Sequence, residues 1–150
     1  MAIREILKIG DEALRKVSRP VTEFDARLGA LLDDLLQTMR AADGVGIAAP
    51  QVGILRRAII VDDGESGPIE LVNPVIVKRS GSIRDAEGCL SVPNRRGFVT
   101  RPKTIKVTYF DRAGTPMLMK TTGILARIVC HETDHLDGVL FVDKQDADAQ

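Results

Sequence analysis

The chain has 150 residues, which is the usual size of one domain and is enough to bury roughly 70% of the surface of the unfolded chain. Lys plus Arg and Asp plus Glu each number 21, so the basic excess typical of nucleic-acid-binding proteins is absent. The apolar fraction of 44% and the charged fraction of 28% are those of a globular protein. We therefore expect a single domain over residues 1–150 and no nucleic-acid partner.

Cysteine content and the N-terminal sequence indicate a reducing compartment. The two cysteines, Cys89 and Cys130, are too few for a disulfide framework. The first ten residues lack the long apolar core and the small-residue cleavage site of a secretory signal. Because no apolar run is long enough to cross a bilayer, we expect a cytoplasmic protein without membrane contact.

The N-terminal half predicts two helices, a segment of small residues and a strand. Residues 11–16 could form a short helix, and residues 25–42 have the apolar spacing of an amphipathic helix with Asp25 as its N-cap. Residues 44–51, GVGIAAPQ, suit a backbone that passes close to another group, and residues 58–62 predict a buried strand. The apolar face of the longer helix consists of Leu28, Leu31, Leu32, Leu35 and Met39.

The C-terminal half predicts strands. Residues 69–78 form a strand pattern interrupted by Pro74, which implies an edge strand or a bulge. Residues 105–109 alternate between polar and apolar, residues 116–120 follow, and the turn residues 111–114 between them indicate a hairpin.

A last helix is predicted over residues 124–137, with Thr121 or Thr122 as its N-cap and Gly138 as its C-terminal stop. The order of elements, helices followed by strands and then a helix, favours an α+β fold. We expect mixed or antiparallel sheets packed around this C-terminal helix, with the N-terminal helices outside.

The last helix contains the sequence HETDH over residues 131–135. Residues four apart share a helix face, so His131 and His135 could bind one metal ion, with Glu132 beside them as a proton acceptor. Ile124 and Ile128 extend the same face towards the helix N-terminus, which predicts an apolar pocket next to the metal.

A catalytic metal site usually needs a third protein ligand and one open position. The residues downstream of the motif that could ligate are all aspartates, at positions 137, 143, 146 and 148. The other candidate is Cys89 in the sequence EGCLS over residues 87–91, as a ligand from a loop. As an isolated cysteine, Cys89 could equally be a small buried apolar side chain.

Together, residues 44–51, 87–91 and 131–135 resemble the three sequence motifs of the peptide deformylase family, in the same order and with similar spacing. The resemblance extends from about residue 6 to residue 143. One departure is Cys130, which stands directly before the histidine motif where many members have Gln. Many bacterial members also continue into a C-terminal helix, which we expect this chain to lack.

The resemblance assigns roles to individual residues. It makes Cys89, His131 and His135 the metal ligands and Glu132 the general acid and base. The Gln51 side-chain amide and the Leu90 backbone N–H become the oxyanion donors. Val45, Gly46 and Gly88 would hold the substrate backbone, with Val45, Ile124 and Ile128 lining a methionine pocket and Glu87 and Arg96 nearby.

The resemblance also implies a reaction, a cofactor and partners. The reaction is hydrolysis of the N-formyl group from the initiator methionine of new polypeptides, with release of formate. One divalent metal ion per chain is implied, Fe(II) first and Zn(II) or Ni(II) as substitutes. Ribosome contact would be transient and made without a C-terminal helix.

Two alternatives to a deformylase stay open on the sequence. The first is a metallo-endopeptidase that uses the same helix, although the downstream ligand expected of such an enzyme is missing. The second is a non-catalytic module with a structural metal, which requires a fourth protein ligand, and Cys130 is the candidate for it.

Overall fold

The computed structural model describes residues 2–146 and contains two antiparallel sheets, three α-helices and two 3-10 turns. The helices are α1 (Ala26–Ala41), α2 (Gly123–Leu136) and α3 (Phe141–Lys144), and the 3-10 turns are Glu12–Arg15 and Ala49–Val52. The strands are β1 (Gly46–Ala48), β2 (Ala58–Val61), β3 (Ile69–Ser80), β4 (Ile83–Cys89), β5 (Val92–Arg101), β6 (Thr104–Phe110) and β7 (Pro116–Thr122).

The larger sheet has the strand order β1-β2-β3-β6-β7 and is covered by α1 on one face and by α2 on the other. The alternation of side chains along β2 produces this arrangement. Ile60 packs in the core beneath α1, whereas Ile59 and Val61 pack in the core beneath α2. The predicted α+β class with mainly antiparallel sheets is therefore confirmed, and helix α2 lies buried where the sequence places it.

The predictions for α1 and β3 have different outcomes. Helix α1 is confirmed, and its N-cap Asp25 accepts a hydrogen bond from the Leu28 N–H at 3.1 Å. Strand β3 lies in the interior of the sheet, so the edge alternative for Pro74 is wrong. The bulge alternative is correct, because the β3–β6 register shifts between Val72 and Val75. Proline is tolerated there because the ladder is already interrupted at its missing N–H.

Several elements were not predicted. The first predicted helix is only a 3-10 turn, and β1, β4, β5 and α3 have no counterpart in the sequence prediction. Strands β4 and β5 form a separate two-stranded hairpin, and β5 packs its Val92 and Val99 against the C-terminal residues Leu140 and Phe141. Among the described residues, no helix is long and apolar enough to cross a membrane.

Candidate metal centre

Helix α2 and the end of β4 bring three potential metal ligands together. The ligand atoms of Cys89, His131 and His135 all lie within 4.8 Å of one another. The Cys89 Sγ atom is 3.3 Å from the His135 Nε2 atom. Cys89 is the last residue of β4, so it is supplied by a strand end and not by the loop that the sequence predicted.

The donor set fits a single metal ion. A thiolate and an imidazole bound to one zinc ion, at about 2.3 Å and about 2.0–2.1 Å, stand roughly 3.5 Å apart in tetrahedral geometry. The 3.3 Å separation of Sγ and Nε2 matches this value. Two imidazoles and one thiolate also suit iron and nickel, so the ligand types alone do not select the metal.

Glu132 lies beside these ligands, and its side chain is buried. Its Oε2 atom is 4.0 Å from the His131 Nε2 atom, and its Oε1 atom has no hydrogen-bond partner within residues 2–146. Burial raises the pKa of Glu132 to about 7, although the neighbouring His131 acts in the opposite direction. A carboxyl group of this pKa can both accept and release a proton at neutral pH.

Position 46 has room only for glycine, because side chains of α2 pack directly against it. A Cβ atom there would lie 2.5 Å from the Glu132 Oε2 atom and 2.9 Å from the Ile128 Cγ2 atom. At position 44, a Cβ atom would lie 2.8 Å from the Leu90 Cδ1 atom. The small residues of this segment therefore let β1 approach α2 and the β4–β5 turn, which are the groups that the predicted close passage of this backbone meets.

Glu87 fixes the orientation of His131. Its Oε1 atom is 2.9 Å from the His131 Nδ1 atom, which leaves Nε2 on the side of the cysteine and the second histidine. Such outer partners set the tautomer and orientation of metal-binding imidazoles. Burial raises the pKa of Glu87, but hydrogen bonds from Arg101 and His131 outweigh that effect and hold the pKa well below its ordinary value.

Two arginines complete this support. The Arg101 Nε and Nη2 atoms donate to the two carboxylate oxygens of Glu87 at 2.9 Å each, and its Nη1 atom donates to Asp134 at 2.6 Å. Arg127 donates to Glu87 Oε2 at 2.6 Å and to the Val99 carbonyl oxygen at 2.9 Å. These bonds link α2 to the β4–β5 hairpin, which carries the cysteine.

Gln51 is buried on the 3-10 turn that follows β1, with its side chain directed at Cys89. Its Nε2 atom lies 3.8 Å from the Cys89 Sγ atom and 3.0 Å from the Ser91 Oγ atom. The Leu90 residue lies between Cys89 and Ser91 in the β4–β5 turn. Of the two predicted oxyanion donors, the Gln51 amide therefore contacts the cysteine, and Leu90 directly follows it in the chain. Ser91, which the sequence analysis did not assign, contacts one of them.

A cavity of about 400 Å³ opens beside the centre. Ile128 is buried in its wall, whereas Val45 and Ile124 are 56% and 70% exposed. The latter two therefore lie at the rim of the predicted methionine pocket. The predicted substrate residues that line the cavity are Val45, Gly46, Gly88, Arg96, Ile124 and Ile128.

The competing ligand candidates lie elsewhere. Asp137, Asp143 and Asp146 form ion pairs with Arg57, Arg15 and Arg84, respectively, and Asp148 is outside the described residues. Cys130 packs in the apolar core beneath α2, and among residues 2–146 it does not join the ligand cluster. Neither the endopeptidase nor the four-ligand structural site gains a ligand from Cys130 or from the three described aspartates.

Comparison with known proteins gives consistent matches over nearly the whole chain. A family model described as polypeptide deformylase matches residues 3–150. The chain is 54% identical to peptide deformylase 1 of Clostridium acetobutylicum over 144 residues, which are 96% of this chain and 95% of the relative. It is 56% identical to the peptide deformylase of Caldicellulosiruptor bescii over 144 residues, which cover 96% of this chain and 86% of that protein.

Solved structures agree with the sequence matches. The crystal structure of peptide deformylase from Thermotoga maritima superposes with a TM-score of 0.95 at 39% identity and covers 97% of this chain and 99% of that one. A peptide deformylase from Legionella pneumophila gives a TM-score of 0.93 at 42% identity, with 97% and 88% coverage. Both the fold and the sequence of the chain are therefore similar to those of the same group of proteins.

Proposed function

Because the chain belongs to the polypeptide deformylase family, it is a metal-dependent hydrolase that removes the N-formyl group from new polypeptides, and we propose that Glu132, Gln51 and Leu90 perform the reaction. The observation that carries this assignment is the cluster of three ligand atoms within 4.8 Å, next to a buried carboxylate and an open cavity. We assign Cys89, His131 and His135 as the residues that hold the metal.

The proposed role of Glu132 is to move a proton. When bound, the metal ion supplies Lewis-acid chemistry that makes water a nucleophile at neutral pH. Glu132 accepts a proton from the attacking water and then gives it to the leaving amine, so that formate and a free N-terminal amine result. Its burial and its pKa of about 7 suit both halves of this transfer.

The proposed role of Gln51 and Leu90 is to stabilise negative charge on the formyl oxygen. The Gln51 amide contacts Cys89 and Leu90 directly follows it in the chain, so a formyl group beside the ligands would meet both donors. Loss of one such donor typically lowers turnover about 10²–10³-fold.

We propose Fe(II) as the native ion because the family resemblance favours it, and zinc or nickel as possible replacements because a ligand set of one thiolate and two imidazoles accepts all three metals. The methionine side chain would enter the cavity beside Ile128 and pass Val45 and Ile124 at its rim. The polypeptide would run along Gly46 and Gly88, with Arg96 beside it. We further propose that the enzyme works in the cytoplasm on nascent chains, with only transient ribosome contact.

Formate release from a formyl-Met dipeptide, with acetyl-Met as the control substrate, tests the activity. The variant Glu132→Gln tests the proposed proton carrier, because Gln keeps the shape of the side chain but cannot accept the proton. We expect it to bind one metal ion per chain and to lose at least about 100-fold in turnover. A turnover per metal-loaded molecule near that of the unmodified enzyme would remove Glu132 from the reaction.

A further inference from the structure

The side-chain amide of Gln51 is held at both ends. Its Oε1 atom accepts a hydrogen bond from the Ala48 N–H at 2.9 Å, and its Nε2 atom donates to the Ser91 Oγ atom at 3.0 Å. Gln51 is 1% exposed and Ser91 is fully buried, so water does not compete for these bonds. Because the Ala48 N–H group can only donate, this contact also identifies the oxygen end of the Gln51 amide.

The amide nitrogen carries two protons, and Ser91 accepts one of them. The second N–H points to the side of the cavity, where it makes a long contact of 3.8 Å with the Cys89 Sγ atom. That side is where the formyl oxygen would be bound. Without the serine hydroxyl, the buried amide would lose one acceptor and could turn its second N–H away from the cavity.

We propose that Ser91 is a positioning residue for deformylation, which holds the Gln51 amide so that its second N–H meets the formyl oxygen. The proposal rests on the oxyanion role of Gln51 under the proposed function. Ser91 does not itself face the substrate, because its hydroxyl is occupied on the Gln51 side of the turn and the residue is buried.

The backbone behind this pair is braced as well. The Leu7 N–H donates to the Gln51 carbonyl oxygen at 2.7 Å, and the Ile9 N–H donates to the Ser91 carbonyl oxygen at 2.7 Å. One N-terminal segment thus ties together two residues that are 40 positions apart in the chain. With both backbones fixed, the side-chain hydrogen bond sets the direction of the amide, which is the arrangement that preorganised donors need.

The test is a double-mutant cycle on the metal-loaded enzyme, with the variants Ser91→Ala, Gln51→Leu and both together. Turnover and KM for a formyl-Met dipeptide are measured per folded, metal-loaded molecule. We expect Ser91→Ala to lower kcat about ten-fold, a part of the effect of losing the donor outright, and to leave KM nearly unchanged. In the Gln51→Leu background, the same substitution should have no further effect on kcat, because the group it positions is gone.

Ser18→Ala is the matched control. Ser18 is also a buried serine, and its hydroxyl has no hydrogen-bond partner in the described part of the chain, so its removal should leave kcat unchanged. If Ser91→Ala yields no folded protein, Ser91→Cys replaces it in the cycle, since a thiol is a weaker acceptor than a hydroxyl.

Each result has one meaning. An unchanged kcat in Ser91→Ala, or an equal loss in both backgrounds, overturns the positioning role. An unchanged kcat in Gln51→Leu instead overturns the oxyanion role of Gln51, on which the proposal rests. Loss of formate release in Ser18→Ala would mean that any buried serine deletion disturbs the enzyme, and it would equally overturn the specific role of Ser91.

Discussion

Replacing Glu87 with Gln tests whether this buried carboxylate holds both the fold and the metal centre. The Glu87 side chain is 5% exposed and that of its partner Arg101 is 3% exposed. Removing one partner of a buried pair leaves an uncompensated charge and costs about 3–5 kcal/mol. Because Asp134 keeps its own hydrogen bond to Arg101, we expect the lower end of that range.

The expected loss of unfolding free energy converts into a decrease in melting temperature. For a chain of 150 residues, an unfolding entropy of about 2.1 cal/mol/K per residue gives roughly 0.3 kcal/mol per kelvin. A loss of about 3 kcal/mol then lowers Tm by about 10 °C. Thermal unfolding followed by circular dichroism in the presence of a chelator measures this effect without the contribution of the metal.

The same variant should weaken the metal site. Gln cannot hold the His131 Nδ1 atom as a carboxylate does, and loss of such an outer partner typically costs about 10–100-fold in metal affinity. Competition with a zinc-binding dye measures this loss.

Glu70→Gln is the matched control, because both Glu70 carboxylate oxygens accept hydrogen bonds from the Arg112 guanidinium at the surface. An exposed pair of this kind contributes only about 0–1 kcal/mol. If the two variants lower Tm equally, the argument from burial is wrong.

Three further predictions concern the centre and its cavity. Cys89→Ala should lose its metal, whereas Cys130→Ala should keep it, as measured by metal content after gel filtration; equal metal content in both would contradict the ligand assignment. Gly46→Ala should lower turnover by displacing the Glu132 carboxylate, whereas Gly29→Ala on α1, whose Cβ would meet only the end of an arginine at 3.5 Å, should keep full activity. Formyl-norleucine and formyl-leucine substrates should have a lower kcat/KM than formyl-Met, equivalent to about 1–3 kcal/mol of activation free energy. A preference for formyl-Asp would refute the apolar pocket.

The sequence predicted the long helices well because their burial is periodic. The apolar face of α1 recurs at helical spacing, and its buried residues include Leu28, Leu32 and Leu35. In α2 the two histidines belong to the same buried face. These elements are specified by local patterns, so a single sequence is enough to find them.

The β4–β5 hairpin had no such pattern. Strand β4 reads IRDAEGC and is exposed over its first three residues, so it lacks the alternation of a half-buried strand. Long-range contacts hold the β4–β5 hairpin in place instead. The Arg127 guanidinium donates to the Ile83 and Val99 carbonyl oxygens, and the Asp146 N–H donates to the Phe98 carbonyl oxygen. A hairpin whose two strands are fixed by partners 28 to 48 residues away is not predictable from its own residues.

Residues that orient other residues were equally hard to find. Glu87 and Ser91 flank the cysteine in the EGCLS sequence, but neither residue type at that spacing indicates which side chain it contacts. The structure gives each a different target, since Glu87 contacts an imidazole on α2 and Ser91 contacts an amide beside β1. The five-residue segment therefore does more than supply the Cys89 side chain. From one strand end it contacts both other motifs and holds one side chain of each. This is a physical reason why the three motifs form a single site, because a shift of the β4–β5 turn would misplace the cysteine, the imidazole and the amide together.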